Sequence, residues 1–298
     1  MKKHHFFIGS GIVLCAVIVV ASILLYKRDV SLGYDFNEPD ETFFLPDILS
    51  EVSGITLTED RQLGCVQDEI GVLFLFDPNS EAIVSQRTFA ENGDYEGVCK
   101  AGSYYYVLRS DGTLFELKDQ EVVAATEIIA EEDIFETSET PVKRYNLHLP
   151  VIENEGLFFD QKNNRLLIVS REKSPQTRKN ERLVYVFDLA EKRLLEHTAF
   201  TLDPFAGKWK KYRDLSFNPS ELALHPITGQ IFVLSSKDHA LFVFSAEGNI
   251  QHIQRLNPVI FPKPEGIAFA ENGDVYISNE NKDEKPTVLF FKYNPGKL

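Results

Sequence analysis

The sequence predicts an all-β fold: a single β-propeller, five-bladed with six blades as the alternative, closed by an N-terminal strand and preceded by one transmembrane helix. Three observations point there. A short phrase recurs five times along the chain. Between its copies, aromatic and β-branched runs alternate with turn residues, and no segment after residue 30 keeps a helical period. Near the N-terminus, one long apolar run carries no charge.

The composition suits a folded, strand-rich chain. With 43% apolar and 26% charged residues, its 298 residues have ordinary globular means to bury a core. The 23 Phe and 11 Tyr, against one Trp and one Met, are side chains that pack well on pleated surfaces. A net charge of −14 argues against nucleic acid as a partner, because such binding needs a basic face to displace counterions.

Residues 6–26 form the uncharged run, between Lys2 and Lys3 on one side and Lys27 and Arg28 on the other. At about 1.5 Å per helical residue this length spans a bilayer core. An uncleaved anchor is favoured over a signal sequence, because the nearest cleavage-like triplet, Val19-Val20-Ala21, lies inside the run. Cys15 follows Val13 and Leu14, so the small residue expected before a lipoprotein cysteine is missing. Residues 1–28 are thus read as the anchor (or signal sequence), 29–33 as a short linker and 34–298 as the propeller. A short tail before a large domain favours a single pass through a bacterial inner membrane, with the propeller on the periplasmic or extracellular side. The cytoplasmic membrane is then a partner through residues 6–26. In an exported domain Cys65 and Cys99 have two readings: a disulfide, or two buried thiols on neighbouring strands.

The recurring phrase is a small or acidic residue, then Glu-Gly or a relic of it, then an apolar strand, a polar turn and a second apolar strand. Its copies are Ser53-Gly54-Ile55, Glu96-Gly97-Val98, Glu155-Gly156-Leu157, Glu221-Leu222-Ala223 and Glu265-Gly266-Ile267. Their spacings are 43, 59, 66 and 44 residues. The short ones match a four-stranded blade, and the long ones the same unit with insertions. Asp111-Gly112 and Asn272-Gly273 supply hairpin turns. The fourth copy predicts strands over 222–224, 230–234, 240–245 and from Gly248 to Arg255. The last copy stops after three strands, which leaves an unpaired edge. The segment 34–44, before the first copy, is expected to supply the missing outer strand.

In a propeller the start of each inner strand, the loop between second and third strands and the crossover between blades share one face. The insertions are read there: 130–150 and 201–219 as crossovers, 171–182 and 279–286 as second-to-third loops. Insertions gathered on one face of a repeat protein mark the face that binds a ligand or partner. The same face carries Glu96, Glu155, Glu221 and Glu265 at the channel mouth, with Ser53 and nearby Glu51 in the first copy. Converging carboxylates repel, so these are paired, hydrogen-bonded or bound to a cation. Calcium or another divalent ion suits such oxygens, and Glu96, Glu155, Glu221 and Glu265 are the candidate metal ligands. The other reading is that each accepts backbone hydrogen bonds from a neighbouring blade. A second polar ring at the ends of the second strands offers ligand-binding candidates: Glu69, Asp111, Glu172, Asp238 and Glu280, with Asp68 and Asn279 beside them. Residues 127–139 are acidic. Arg171, Lys173, Arg178, Lys179 and Arg182 make one loop basic, and Lys208, Lys210, Lys211 and Arg213 surround Trp209 and Tyr212 in another.

No nucleophile motif stands out, and His148, His197, His225, His239 and His252 lack zinc-site spacing. His225 and His239 read as turn residues.

The order of Leu45-Pro46, Ser50-Glu51-Val52-Ser53-Gly54-Ile55-Thr56, Asp94-Tyr95-Glu96-Gly97-Val98 and Asn154-Glu155-Gly156-Leu157 resembles the SdiA-regulated family of bacterial exported propellers. Pro219 to Pro226 and Pro264 to Ala268 fit as well. The resemblance covers roughly residues 34–295. It implies a propeller related to phytase-like and gluconolactonase-like groups, often held at the inner membrane, in which acidic residues at the channel mouth can bind calcium or another divalent ion. Position 53 is Ser and position 222 is Leu rather than Gly, which departs from a symmetric ring. Two functions follow: a noncatalytic binding or scaffolding module using the insertion-bearing face, or a metal-dependent hydrolase of the phosphoesterase or lactonase type. In the second, a metal at the glutamates polarises substrate or activates water.

Overall fold

A computed structural model describes residues 32–124, 142–281 and 284–296. The run expected to cross a membrane lies outside these residues, as does the acidic stretch 127–139. No described helix is long and apolar enough to cross a membrane. Residues 35–293 form one compact unit. The described residues outside it, 32–34 and 294–296, belong to a separate small unit, in which the Asn294 N–H donates to the Gly33 carbonyl at 2.9 Å.

The larger unit is five antiparallel sheets. Blade 1 holds Val52–Leu57, Leu63–Gln67, Val72–Asp77 and Ala82–Thr88. Blade 2 holds Tyr95–Ala101, Tyr104–Arg109, Thr113–Lys118 and Lys143–Asn146. Blade 3 runs Asn154–Asp160, Arg165–Ser170 and Arg182–Asp188, with an outer edge of two short pieces, Arg193–Leu194 and Phe200–Leu202. Blade 4 is Glu221–Leu224, Ile231–Ser235, Ala240–Phe244 and Ile250–Arg255, close to the strands expected from sequence. Blade 5 is Pro264–Phe269, Val275–Asn279 and Thr287–Phe291, and its fourth strand is the N-terminal Glu41–Phe44. Five blades therefore close by the expected N-terminal strand. The pairing of Glu41 with Phe290 and Phe44 with Thr287 covers the edge that the third strand of blade 5 would otherwise expose.

Each first strand lies against the next, from 52–57 through 95–101, 154–160, 221–224 and 264–269 back to 52–57. The apolar core is layered between blades. Phe74 and Phe76 of blade 1 share a cluster with Val288 and Phe290 of blade 5, and Val184 and Val186 of blade 3 pack with Val233 and Phe242 of blade 4. The Glu-Gly phrase explains how the first strands approach so closely. A Cβ on Gly54 would stand 2.7 Å from the Glu96 carbonyl oxygen of blade 2, and one on Gly97 would stand 2.7 Å from the Glu155 carbonyl oxygen of blade 3. Gly266 approaches the Ser53 carbonyl in the same way and completes the circuit from blade 5 to blade 1. In blades 1, 2, 3 and 5 the pairing with the second strand slips at this phrase. In blade 4, where Leu222 replaces the glycine, the pairing from Glu221 to Leu224 is regular.

One insertion belongs elsewhere than the sequence suggests. Residues 143–146, read as part of a crossover, are the outer strand of blade 2. After its third strand the chain leaves blade 2, and Val123–Ala124 pair with Ser85 and Gln86 at the outer edge of blade 1, before the chain returns at Lys143. That detour joins third to fourth strand, so it starts from the face opposite the channel mouth. The patterning of 143–146, with three polar residues in four, gave no apolar signal because the edge is exposed. Cys65 and Cys99 are not bonded to each other; both are free, buried thiols, in blades 1 and 2. His225 is a turn residue as expected. Its Nδ1 accepts the Ile227 and Thr228 N–H groups at 3.2 and 3.3 Å, and burial pushes the imidazole down to about 4, so it is neutral.

Replacing Gly97 by Ala is expected to cost about 3 kcal/mol, because both clashing partners are in the central strands and neither can move alone. Gly102→Ala places its Cβ in open space and carries only the strain of φ +59, about 1 kcal/mol. Urea midpoints of the two variants measure the difference.

Candidate functional site

The bulged Glu-Gly phrases bring Glu96, Glu155 and Glu265 together at the start of the first strands, around the channel mouth. Arg171, just past the second strand of blade 3, reaches into the group. Its Nη2 donates to Glu155 Oε2 at 2.9 Å and its Nη1 to Glu153 Oε2 at 3.5 Å. Glu155 is 1% exposed, and burial raises its carboxyl to about 8. Glu96 lies within hydrogen-bond reach of Glu155. Burial first, then the neighbouring carboxylates of Glu155 and Asp94, push it up to about 10, so it holds a proton at neutral pH. Burial also raises Glu265, against the pull of Lys263, whose Nζ is 3.6 Å from Glu265 Oε1. Lys263 makes its closer contact with the buried Glu280.

Glu221 is different. Without a bulge its carboxylate turns into the seam with blade 3, where Oε1 accepts the Leu157 N–H at 2.8 Å and its own strand's Leu222 N–H at 2.9 Å. That oxygen sits 3.0 Å from where a Cβ on Gly156 would be. Glu221 thus fills the gap at the one first strand that lacks a glycine, and it serves blade packing.

The second ring divides similarly. Asp111 closes its own turn, accepting from Arg109 Nη2 at 2.8 Å and the Thr113 N–H at 2.9 Å. Asp238 is committed to Ser216, through both N–H and hydroxyl at 2.8 Å, and to the Ser235 hydroxyl at 2.8 Å. Glu172 points to solvent, whereas its neighbour Arg171 faces the mouth. Glu280 joins the mouth through Lys263. Glu69 is exposed but stands beside Glu51 and Asp68. These three are the one set among the described residues whose acidic ligand atoms all lie within 4.8 Å of one another. Burial, then the charges of Glu51 and Glu280, raise Asp68 to about 7. Glu96, Glu155, Glu221 and Glu265 do not form such a set.

Beside the glutamates opens a cavity of about 400 Å³. Its walls are Asn218 and Ser220 from the crossover into blade 4, Ser236, Lys237 and His239 from the second-to-third loop of blade 4, and Pro262, Lys263 and Glu265 from blade 5, with Arg171 at one side. Two devices hold the walls. The buried Arg182 donates to the carbonyls of Arg171 at 2.7 Å and Phe217 at 2.8 Å, tying the basic loop to the crossover. Phe217 and His239 hold left-handed backbone, φ +52 and +44, strain that persists only because the surroundings impose it. The aromatic basic loop is structural: Trp209 and Tyr212 pack against the core between blades 3 and 4, with Lys208 and Lys211 over their rings. Sequence reasoning missed Lys263, although it stands two residues before Glu265 in Pro262-Lys263-Pro264-Glu265-Gly266, on the same strand entry.

Because Glu96 ionises far less readily when folded than its ordinary value of 4.5 allows, it makes the fold less stable as pH rises from about 4.5 towards 10. Glu96→Gln is expected to leave stability at pH 4 unchanged, to raise it at pH 9 and to flatten the fall between. Denaturant titrations across that range test it; a variant less stable at pH 9 contradicts the assignment.

Comparison with known proteins agrees with this architecture. The structure is similar to the crystal structure of Myxococcus xanthus glutaminyl cyclase, with a TM-score of 0.56 and 13% identity over 86% of this chain and 96% of that one. A luciferin-regenerating enzyme aligns at a TM-score of 0.49 with 10% identity, over 86% of this chain and 95% of that one. At 13% identity the likeness to the cyclase is one of fold. No curated protein matches the sequence. The profile of the SdiA-regulated family matches residues 40–292, and the chain belongs to that family.

Proposed function

We propose that this protein is an exported β-propeller, anchored in the bacterial inner membrane through residues 6–26, that binds a ligand or partner at the mouth cavity. The cavity carries the reading. It is built from second-to-third loops and crossovers of three blades, and strained backbone and the Arg182 contacts hold it in shape before any ligand arrives. Such preorganisation favours recognition, since little ordering remains to be done on binding. The N-terminal strand enters blade 5 at Glu41, paired with Phe290, at the end away from the cavity.

Two measurements test this. The full chain in detergent is screened by thermal unfolding against small polar metabolites. At least one is expected to raise the midpoint, and Ser236→Trp, which fills the cavity, is expected to abolish that shift. No responding compound, or a response indifferent to Ser236→Trp, overturns the binding site. Alkaline phosphatase fused after Leu298 is expected to be active in a bacterial host, and an inactive but intact fusion overturns export.

Glu51, Asp68 and Glu69 favour a second reading, a divalent cation held near the mouth, with metal-dependent hydrolysis as its enzymatic form. Calcium is then expected to raise the unfolding midpoint and Asp68→Asn to remove the effect. No calcium response rejects this reading.

A further inference from the structure

The charges of the cavity are arranged by depth. Glu265 has only 9% of its side chain exposed, while Lys263 and Arg171 are 49% and 38% exposed. Lys237 is exposed at the rim and, among the described residues, has no carboxylate within ion-pair distance. Carboxylate below and cations above make a dipolar lining. A purely anionic ligand would meet Glu265 at the floor, and a purely cationic one would have to pass Lys237 and Arg171.

The cation already beside Glu265 is also the one best able to yield. Lys263 touches Glu280 more closely than it does Glu265, which is 3.6 Å away. An incoming ammonium can therefore take the Glu265 oxygen while Lys263 stays paired with Glu280. At the rim, Lys237 stands exposed for an anionic group, while the buried Ser220 hydroxyl below it donates to the Pro264 carbonyl at 3.5 Å. Arg171 keeps Glu155 and Glu153 as partners and adds field rather than a free hydrogen-bond pair. The cavity's volume, about 400 Å³, suits a molecule of amino-acid to dipeptide size.

We propose that this cavity recognises a small zwitterion of the amino-acid class, its ammonium group on Glu265 and its carboxylate at Lys237. The proposal rests on the cavity being the ligand site, and adds which chemistry enters it.

The test uses the full chain in detergent and isothermal titration with three kinds of probe: amino acids and dipeptides, alkylamines of matched length, and alkyl carboxylates of matched length. At least one zwitterion is expected to bind about tenfold or more tighter than its matched amine and its matched carboxylate, a difference of about 1.4 kcal/mol for each charge lost. Glu265→Gln should remove the preference over the carboxylate, and Lys237→Ala the preference over the amine. Lys237 is exposed, so its replacement leaves the fold intact, and unchanged unfolding without ligand verifies both variants. Equal binding of the amine, equal binding of the carboxylate, or zwitterion binding indifferent to both variants overturns the proposal. If no zwitterion binds but another class does so in a Ser236-dependent manner, this inference fails and the binding reading stands. If nothing binds, both fail.

Discussion

The contact on which the rest of this molecule depends is that between successive first strands at the Glu-Gly phrase. There, backbone meets backbone with no room for a side-chain carbon: a Cβ on Gly54, Gly97 or Gly266 would come within 2.7 Å of the next strand's carbonyl oxygen. Only glycine permits that approach. It lets the five first strands close around a narrow axis. The same phrase slips the pairing by a residue, and a bulge re-aims side chains. The tight centre and the glutamate-lined mouth therefore have one cause.

The electrostatics follow from that geometry. Packing first strands so tightly buries the side chains at their starts, and burial disfavours the charged carboxylate. Glu96 and Glu155 respond by sharing a hydrogen bond and holding protons more firmly, while Arg171 and Lys263 compensate part of the remaining charge. A mouth with more acids than bases is costly to the fold, and Glu221 adds to that cost: two backbone N–H groups reach its Oε1, but its buried Oε2 has no hydrogen-bond partner and burial raises its carboxyl well above the usual range. The glutamates divide by place: Glu221 is a backbone acceptor, as one of the two sequence readings has it, whereas Glu96, Glu155 and Glu265 lie together at the mouth.

How much could be read from sequence depended on whether a residue's role is local. The Glu-Gly phrase encodes a bulge and a close approach within three residues, so blade number and blade order were legible from it. The closing strand was legible because blade 5 lacked one. The outer strand 143–146 was not, since an exposed edge needs no apolar alternation and a detour to blade 1 precedes it. At the site, the loop after the second strand of blade 3 was placed on the right face, but the acidic Glu172 was chosen over Arg171. One-residue choices of that kind turn on which way a side chain leaves a loop, and no periodicity reports it. Asp111 and Asp238 were polar at the right height yet spend their oxygens on local turn and loop hydrogen bonds, the usual competing role of such residues.

The exception in blade 4 explains why a cavity exists where it does. A ring of five bulged phrases would crowd the mouth with equivalent acids. Leu222 removes the bulge from one of them, and Glu221 withdraws into the seam with blade 3. The mouth then lacks an acid on the side of blade 4, and the wall there is made by Ser220, Ser236, Lys237 and His239. Glu265 of blade 5 lies deep beside that wall, within hydrogen-bond reach of Ser236. One substitution of leucine for glycine in the repeat thus has two consequences: a structural carboxyl at one seam, and an asymmetric mouth with the carboxyl of Glu265 deep and the cation of Lys237 at the exposed rim. Asymmetry of that kind is what a ligand with two unlike ends requires, and an unbroken repeat would not supply it.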